Sequence, residues 1–210
     1  MRPSRLFVLT ACAIAALTLP TTAGAQSSMD VRGYFVAGST WLNAADSFEA
    51  VADTNRTSNI GGGGAVTIWK SVFVDVAVQR MSIDGQRVFV DQGTVYPLNI
   101  PLQVTMIPFD VAAGWRTPGR VSAYGAVGVS RISYTERSDF AADDEDVDDS
   151  GTGLLLLGGA DVTIWKFVSI GGEVRYRHVD GPLGETGVSA VFGERSIGGV
   201  AASLRVSVGF

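Results

Sequence analysis

From Val200 to Phe210 every second residue is apolar. Val200, Ala202, Leu204, Val206, Val208 and Phe210 share one face of an extended chain, and Ser203, Arg205, Ser207 and Gly209 share the other. Side chains alternate across a strand, so a two-residue period commits the segment to a strand with unlike faces. The period recurs upstream. Val168, Ile170, Val174 and Tyr176 oppose Ser169, Glu173, Arg175 and Arg177. Val72, Val74, Val76 and Val78 oppose Asp75 and Gln79, and Ile107, Phe109, Val111, Ala113 and Trp115 oppose Asp110 and Arg116. Leu154, Leu156, Ala160, Val162 and Ile164 oppose Asp161 and Thr163. Eight strand-like segments result: Val31–Asn43, Ser58–Lys70, Val72–Ile83, Asn99–Arg116, Arg120–Thr135, Gly151–Lys166, Phe167–Asp180 and Arg195–Phe210. No helical period of 3.6 is legible after residue 26.

The connections alternate in length. Lys70-Ser71, Thr117-Pro118-Gly119 and Lys166-Phe167 are short, whereas Ala44–Thr57, Asp84–Leu98, Glu136–Ser150 and Gly181–Glu194 are long. Short turns on one rim and long loops on the other are the pattern of a barrel that crosses a membrane. The segments are long enough for tilted spanning strands of about 9–11 residues, against about 5–6 in soluble domains. Val66-Thr67-Ile68-Trp69-Lys70 recurs as Val162-Thr163-Ile164-Trp165-Lys166, each time before a short turn. The repeat predicts two equivalent hairpins, with Trp69, Trp165 and Trp115 as rim aromatics.

The first 25 residues stand apart. Arg2 and Arg5 precede the apolar run Leu6–Leu19, Pro20 ends the run, and Ala23-Gly24-Ala25 is a small-x-small cleavage site. The run is too short for a transmembrane helix of about 20 residues. It predicts a secretory signal peptide over residues 1–25, leaving 26–210 as one barrel domain. Cys12, the only cysteine, lies in this run, so the mature chain is expected to carry no disulfide and no reactive thiol. Once Arg2 and Arg5 are set aside, 14 of the 16 basic residues face 21 acidic ones, a net charge of −7. Such a chain repels phosphate backbones, so no nucleic-acid partner is expected.

A membrane barrel turns its polar face inward, and a soluble barrel turns it outward. Alternation alone does not separate the two. The long segments, and charges too few to solvate an outer wall, favour the membrane barrel. In that arrangement Asp75, Asp110, Asp161 and Glu173 face Arg175, Arg177, Arg205 and Arg32 in a narrow lumen, since buried charges persist when paired. An eight-stranded barrel is just wide enough for side chains to fill it.

These features resemble the small outer-membrane β-barrel proteins of the OmpA/OmpX/OmpW and opacity-protein type. The resemblance covers Gln26–Phe210 and rests on the signal peptide, the strand core Gly125–Val129, the strand Gly171–Arg177 and the end Val206–Phe210. It implies an all-β, eight-stranded antiparallel transmembrane β-barrel with short periplasmic turns and long extracellular loops. It also implies that Val206, Val208 and Phe210 act as the C-terminal signal for outer-membrane insertion. The expected partners are outer-membrane lipid and lipopolysaccharide, the barrel insertion machinery and periplasmic chaperones, for a monomer in the bacterial outer membrane.

Candidate chemistry is sparse, and no catalytic residue, cofactor or metal ligand is expected. His178, the one histidine, lies on the Val174/Tyr176 face near the outer rim. A lipid-hydrolase reading wants a serine two residues later, where Asp180 stands. The acidic run Asp143–Asp149 lacks the Gly and Glu of a calcium loop, and Gly61–Gly64 precedes no helix, so it is no phosphate loop. The expectation is a non-enzymatic barrel with a side-chain-filled lumen and a structural or surface-presenting role. The alternatives are a narrow OmpW-like channel for small or apolar solutes and, behind it, a lipid-modifying enzyme using His178.

Overall fold

The computed structural model describes residues 30–69, 71–138, 147–181 and 188–209. The segment read as a signal peptide, Lys70, Asp143–Asp146 and Phe210 lie outside the described residues. Eight strands, β1 (Asp30–Leu42), β2 (Arg56–Trp69), β3 (Val72–Asp91), β4 (Thr94–Arg116), β5 (Val121–Arg137), β6 (Val147–Trp165), β7 (Val168–Asp180) and β8 (Ser196–Gly209), pair in sequence order. β8 returns to β1 and closes an antiparallel barrel.

The register sets the barrel's dimensions. From Tyr124 the hydrogen-bonded row runs through Gly159, Glu173, Ser203, Gly38, Asn59, Met81 and Met106 and re-enters β5 at Tyr134, a stagger of ten residues. At about 3.3 Å per residue and about 4.8 Å between strands, this stagger tilts the strands by about 40° and sets a radius of about 8 Å. The outward positions form a belt. Val72, Val74, Val76 and Val78 precede Arg80 on β3, Val121 to Val129 precede Arg131 on β5, and Val168 to Tyr176 precede His178 on β7. At this tilt such runs span about 15–20 Å, most of the height of about 25 Å of a membrane barrel's apolar band. Valines and leucines of this belt are exposed, for example Val127, Val129, Val174 and Leu204, while Asp75, Asp110 and Arg205 are buried.

The Val-Thr-Ile-Trp repeat has a geometric cause. Thr67 pairs with Phe73 and Trp69 with Val72, so Ile68 is skipped. Thr163 pairs with Ser169 and Trp165 with Val168, so Ile164 is skipped in the same way. A bulge breaks the alternation. It lets both residues of each Ile-Trp pair face outward, and Ile68, Trp69, Ile164 and Trp165 are all exposed at the short-turn rim. Trp115 joins them there, opposite Val72.

The long-loop end differs from the sequence expectation in three ways. A helix, α1 (Ala45–Ala52), forms in the first long connection, and a short one, α2 (Val188–Phe192), in the last. Asp84–Leu98 is not a loop: β3 and β4 run on and turn at Gln92-Gly93, both at positive φ, as a two-residue type I′ hairpin requires. β6 begins at Val147, which takes Asp148 and Asp149 into the strand. α1 escaped the periodicity reading because only Phe48, Val51 and Ala52 mark its buried face. Its first N–H groups are capped from outside the helix: Asp46 and Ser47 donate to the Glu194 carboxylate at 3.1 and 2.8 Å.

Candidate functional site in the barrel lumen

Inward positions come from alternate residues, and on β3, β5 and β7 their chemistry changes along the strand. On β7 they read Glu173, Arg175, Arg177 and then Val179; on β3, Asp75, Ala77, Gln79 and then Met81 and Ile83. On β5, Ser130 gives way to Ile132 and Tyr134. The lumen is therefore polar towards the short-turn rim and apolar towards the long-loop rim.

In the polar part, Arg175 is the hub. Its Nε donates to Glu173 at 2.6 Å, its Nη1 to Asp110 at 2.9 Å and its Nη2 to Asp75 at 3.2 Å. Arg177 donates to the same Asp110 from Nη2 at 2.6 Å and to Gln79 Oε1 at 2.9 Å. Arg205 donates to Glu173 at 2.9 Å and lies 3.6 Å over the Tyr34 ring. Tyr34 donates to Asp75 at 2.8 Å, and Ser130 donates to Asp110 at 2.7 Å. Three carboxylates thus meet three guanidiniums, all at 3% exposure or less. Charges this buried are tolerated only as such a hydrogen-bonded set, because each alone would lose several kcal/mol of hydration.

Glycines make room for the tyrosines. Tyr34 pairs across the strand with Gly63, and Tyr124 with Gly159. A Cβ at Gly63 would stand 2.5 Å from the Tyr34 hydroxyl, and one at Gly159 would stand 2.5 Å from the Tyr124 hydroxyl. This close approach accounts for part of the Gly61–Gly64 run. Arg205 sits between both rings, 5.2 Å from that of Tyr124.

Two residues expected in this network stand elsewhere. Arg32 pairs with its neighbour Asp30 at 2.6 Å, half-buried at the short-turn rim, because β1 starts there and its reach ends below the cage. Asp161 pairs with Arg116 at 2.8 Å, a separate bridge nearer that rim, where Arg116 also lies 4.7 Å over the Tyr124 ring. Sequence reasoning placed Arg116 on the polar face without seeing this partner. It placed Gln79 on the polar face without its partner Arg177, and it missed Tyr34, Tyr124 and Asn59; the facing Gly63 and Gly159 were the signal for the two tyrosines.

Above the cage lies an apolar seal. Met81, Ile83, Leu102, Val104, Met106, Ile132, Val179 and Ile197 pack in one cluster with Leu42, Tyr134 and, from α1, Phe48. Val51 and Ala52 of α1 pack on its upper side. The lumen is therefore not filled with paired charges throughout, as the alternation alone suggested; its long-loop end is a small hydrophobic core closed by a helix.

On the outer wall, Ser196 Oγ lies 3.1 Å from His178 Nδ1, and Asp180 lies 3.7 Å from His178 Nε2. His178 and Asp180 are exposed, at 48% and 69% for their side chains. The carboxylate contact is longer than a hydrogen bond and open to water, so it does not hold the ring as a buried acid holds a catalytic histidine. Among the described residues no group of His, Cys, Asp and Glu has the geometry of a metal site.

A closed eight-stranded barrel with an apolar outer belt and a charged, packed lumen defines a small transmembrane β-barrel protein. The family model for the outer membrane protein β-barrel domain matches residues 9–208, and the chain belongs to that family. No curated protein matches the sequence. Among solved structures, the chain is similar to outer membrane protein OprG from Pseudomonas aeruginosa, at 12% identity and a TM-score of 0.56, over 87% of this chain and 95% of that one. It is also similar to a major outer membrane protein from Thermus thermophilus, at 12% identity and a TM-score of 0.54, over 86% and 99%. At this identity the likeness concerns the fold. The barrel belongs in the bacterial outer membrane, with short turns towards the periplasm and long loops outside.

Proposed function

We propose that this is a non-enzymatic outer-membrane barrel whose lumen is plugged, serving a structural or surface-presenting role. The observation that carries this reading is the apolar seal under α1, with Met81, Met106, Ile132 and Phe48 all buried. An ion crossing the barrel would have to shed its water in that cluster and then break the Arg175 cage beneath it. In this reading the loops and the protruding β3–β4 hairpin are what the protein offers to its surroundings. Wild-type protein in a planar bilayer is expected to give no steady current; a reproducible unitary conductance would contradict the plugged reading.

A narrow, OmpW-like path is the second reading, and one observation favours it. Gln79 Nε2, Arg177 Nη1, Arg205 Nη2 and Asn59 Oδ1 are buried without a hydrogen-bond partner among the described residues. Buried polar atoms of this kind hold water. Water reaching the cage from the periplasmic side serves them without a through-path, and the conductance experiment separates the two cases. The hydrolase reading has the weakest support, because His178 is exposed and its carboxylate contact is long. Lipid A from cells carrying His178→Asn is expected to have an unchanged mass spectrum.

A further inference from the structure

Two arginines on the outer wall play no part in the lumen. Arg80 and Arg131 point outward, and each is the first polar side chain above the apolar run of its strand. The register brings them to one height. Arg80 stands across from Ile107, between the pairs Val78–Phe109 and Met81–Met106, and Ile107 pairs with Ser133, two residues above Arg131. In a sheet tilted by about 40°, a hydrogen-bonded row rises about 3 Å per strand, so Ser133 stands about 6 Å above Arg80. The two-residue step down β5 loses about 5 Å, which leaves Arg131 within about 2 Å of the level of Arg80 and its Cα about 11 Å away around the wall. Exposed Phe109 lies between them.

The surroundings suit an anion. Arg80 has no hydrogen bond or ion pair among the described residues, and Arg131 makes one hydrogen bond, to Ser150 Oγ at 3.0 Å. Outward hydroxyls of Ser82, Thr105, Ser133 and Thr152 stand just above the pair. The described outward carboxylates of these strands, Asp84 and Asp148, lie about 10 Å or more higher at this tilt. Asp84 is already engaged, accepting from Gln103 at 3.2 Å. The upper edge of the apolar belt is the level of lipid phosphates, where arginine is attracted to anionic headgroups and binds phosphate through a bidentate fork.

We propose that Arg80 and Arg131 form a seat for an anionic outer-leaflet lipid, one phosphate to each guanidinium, with its acyl chains against Phe109, Val78 and Val129. The class of ligand that engages both is a glycolipid headgroup carrying two phosphates. The test is native mass spectrometry of detergent-purified, folded protein with bis-phosphorylated lipid A and with its mono-phosphorylated form. Each arginine is expected to contribute about five-fold in affinity, so the R80Q/R131Q double variant binds the bis-phosphorylated lipid about 25-fold more weakly. Wild-type protein is expected to bind the mono-phosphorylated lipid about five-fold more weakly, a comparison that needs no variant to fold. Arg120→Gln, at a periplasmic turn, serves as the control and is expected to match the wild type. Equal binding of the two lipids by the wild type, or a loss in Arg120→Gln as large as in the double variant, would overturn the proposal.

Discussion

The two halves of the lumen solve one packing problem with opposite chemistry. Towards the periplasm, three carboxylates and three guanidiniums fill the cylinder, and towards the exterior Met81, Met106, Ile132 and Ile197 do so. Within the belt the outer wall is committed to lipid, so inward residues are the only place for polarity, and each buried charge of the cage there meets an opposite one. Above the belt the wall faces water, the inside can be an ordinary hydrophobic core, and a helix can close it. The difference teaches that a barrel of this width is stabilised by two separable cores. They should respond differently to mutation and to salt.

Removing the hub should cost most. Arg175→Leu leaves Asp75, Asp110 and Glu173 buried around a missing cation, and a loss of about 3–5 kcal/mol in unfolding free energy is expected from urea titration in vesicles. A loss below about 1 kcal/mol would show that the cage is hydrated and that its pairing carries little. Ile132→Ala, in the seal, should cost about 2–4 kcal/mol by removing buried methyl groups. That cost should not change between low and high salt, because no charge is involved. Salt dependence comparable to that of a charge variant would erase the distinction between the halves. Glu194→Gln removes the charged cap of α1 and should cost about 1 kcal/mol, read as faster proteolysis of the α1 segment with the barrel intact. Global unfolding in that variant would mean that helix and barrel are one cooperative unit. The smallest effect is expected at His178→Asn, within about 0.5 kcal/mol, because the ring is exposed and loosely held.

The contrast also explains what could be read beforehand. Strict alternation in β3, β7 and β8 exposed both faces of the wall, so the strand number, the closure and the inward set Asp75, Asp110, Glu173, Arg175, Arg177 and Arg205 were legible in the sequence. The pairing was not. Which carboxylate meets which arginine depends on register across strands far apart in sequence, and that sent Arg32 to Asp30 and Asp161 to Arg116. The extension of the β3–β4 hairpin was hidden because Gly85, Gly93 and Pro97 punctuate it and read as loop. The seal's Met81, Ile83, Leu102 and Val104 lie within the segments read as strands, but two-residue alternation alone does not tell an apolar stretch of lumen from a polar one. α1 was hidden because its eight residues give barely two turns of period, and its N-terminal cap, Glu194, lies far along the chain.

The central claim, that the charge cage is closed off beneath an apolar seal, is tested most directly by hydrogen exchange at the arginine Nε–H groups. In ¹⁵N-labelled protein folded in detergent, Arg175 Nε–H, which donates to Glu173 at 2.6 Å, should give a resolved signal that persists after transfer to deuterated buffer. Phe48→Ala, which thins the seal, should shorten that persistence. A signal from Arg175 as short-lived as that of exposed Arg120 would mean that water moves freely through the lumen, and the account of a plugged barrel would fail.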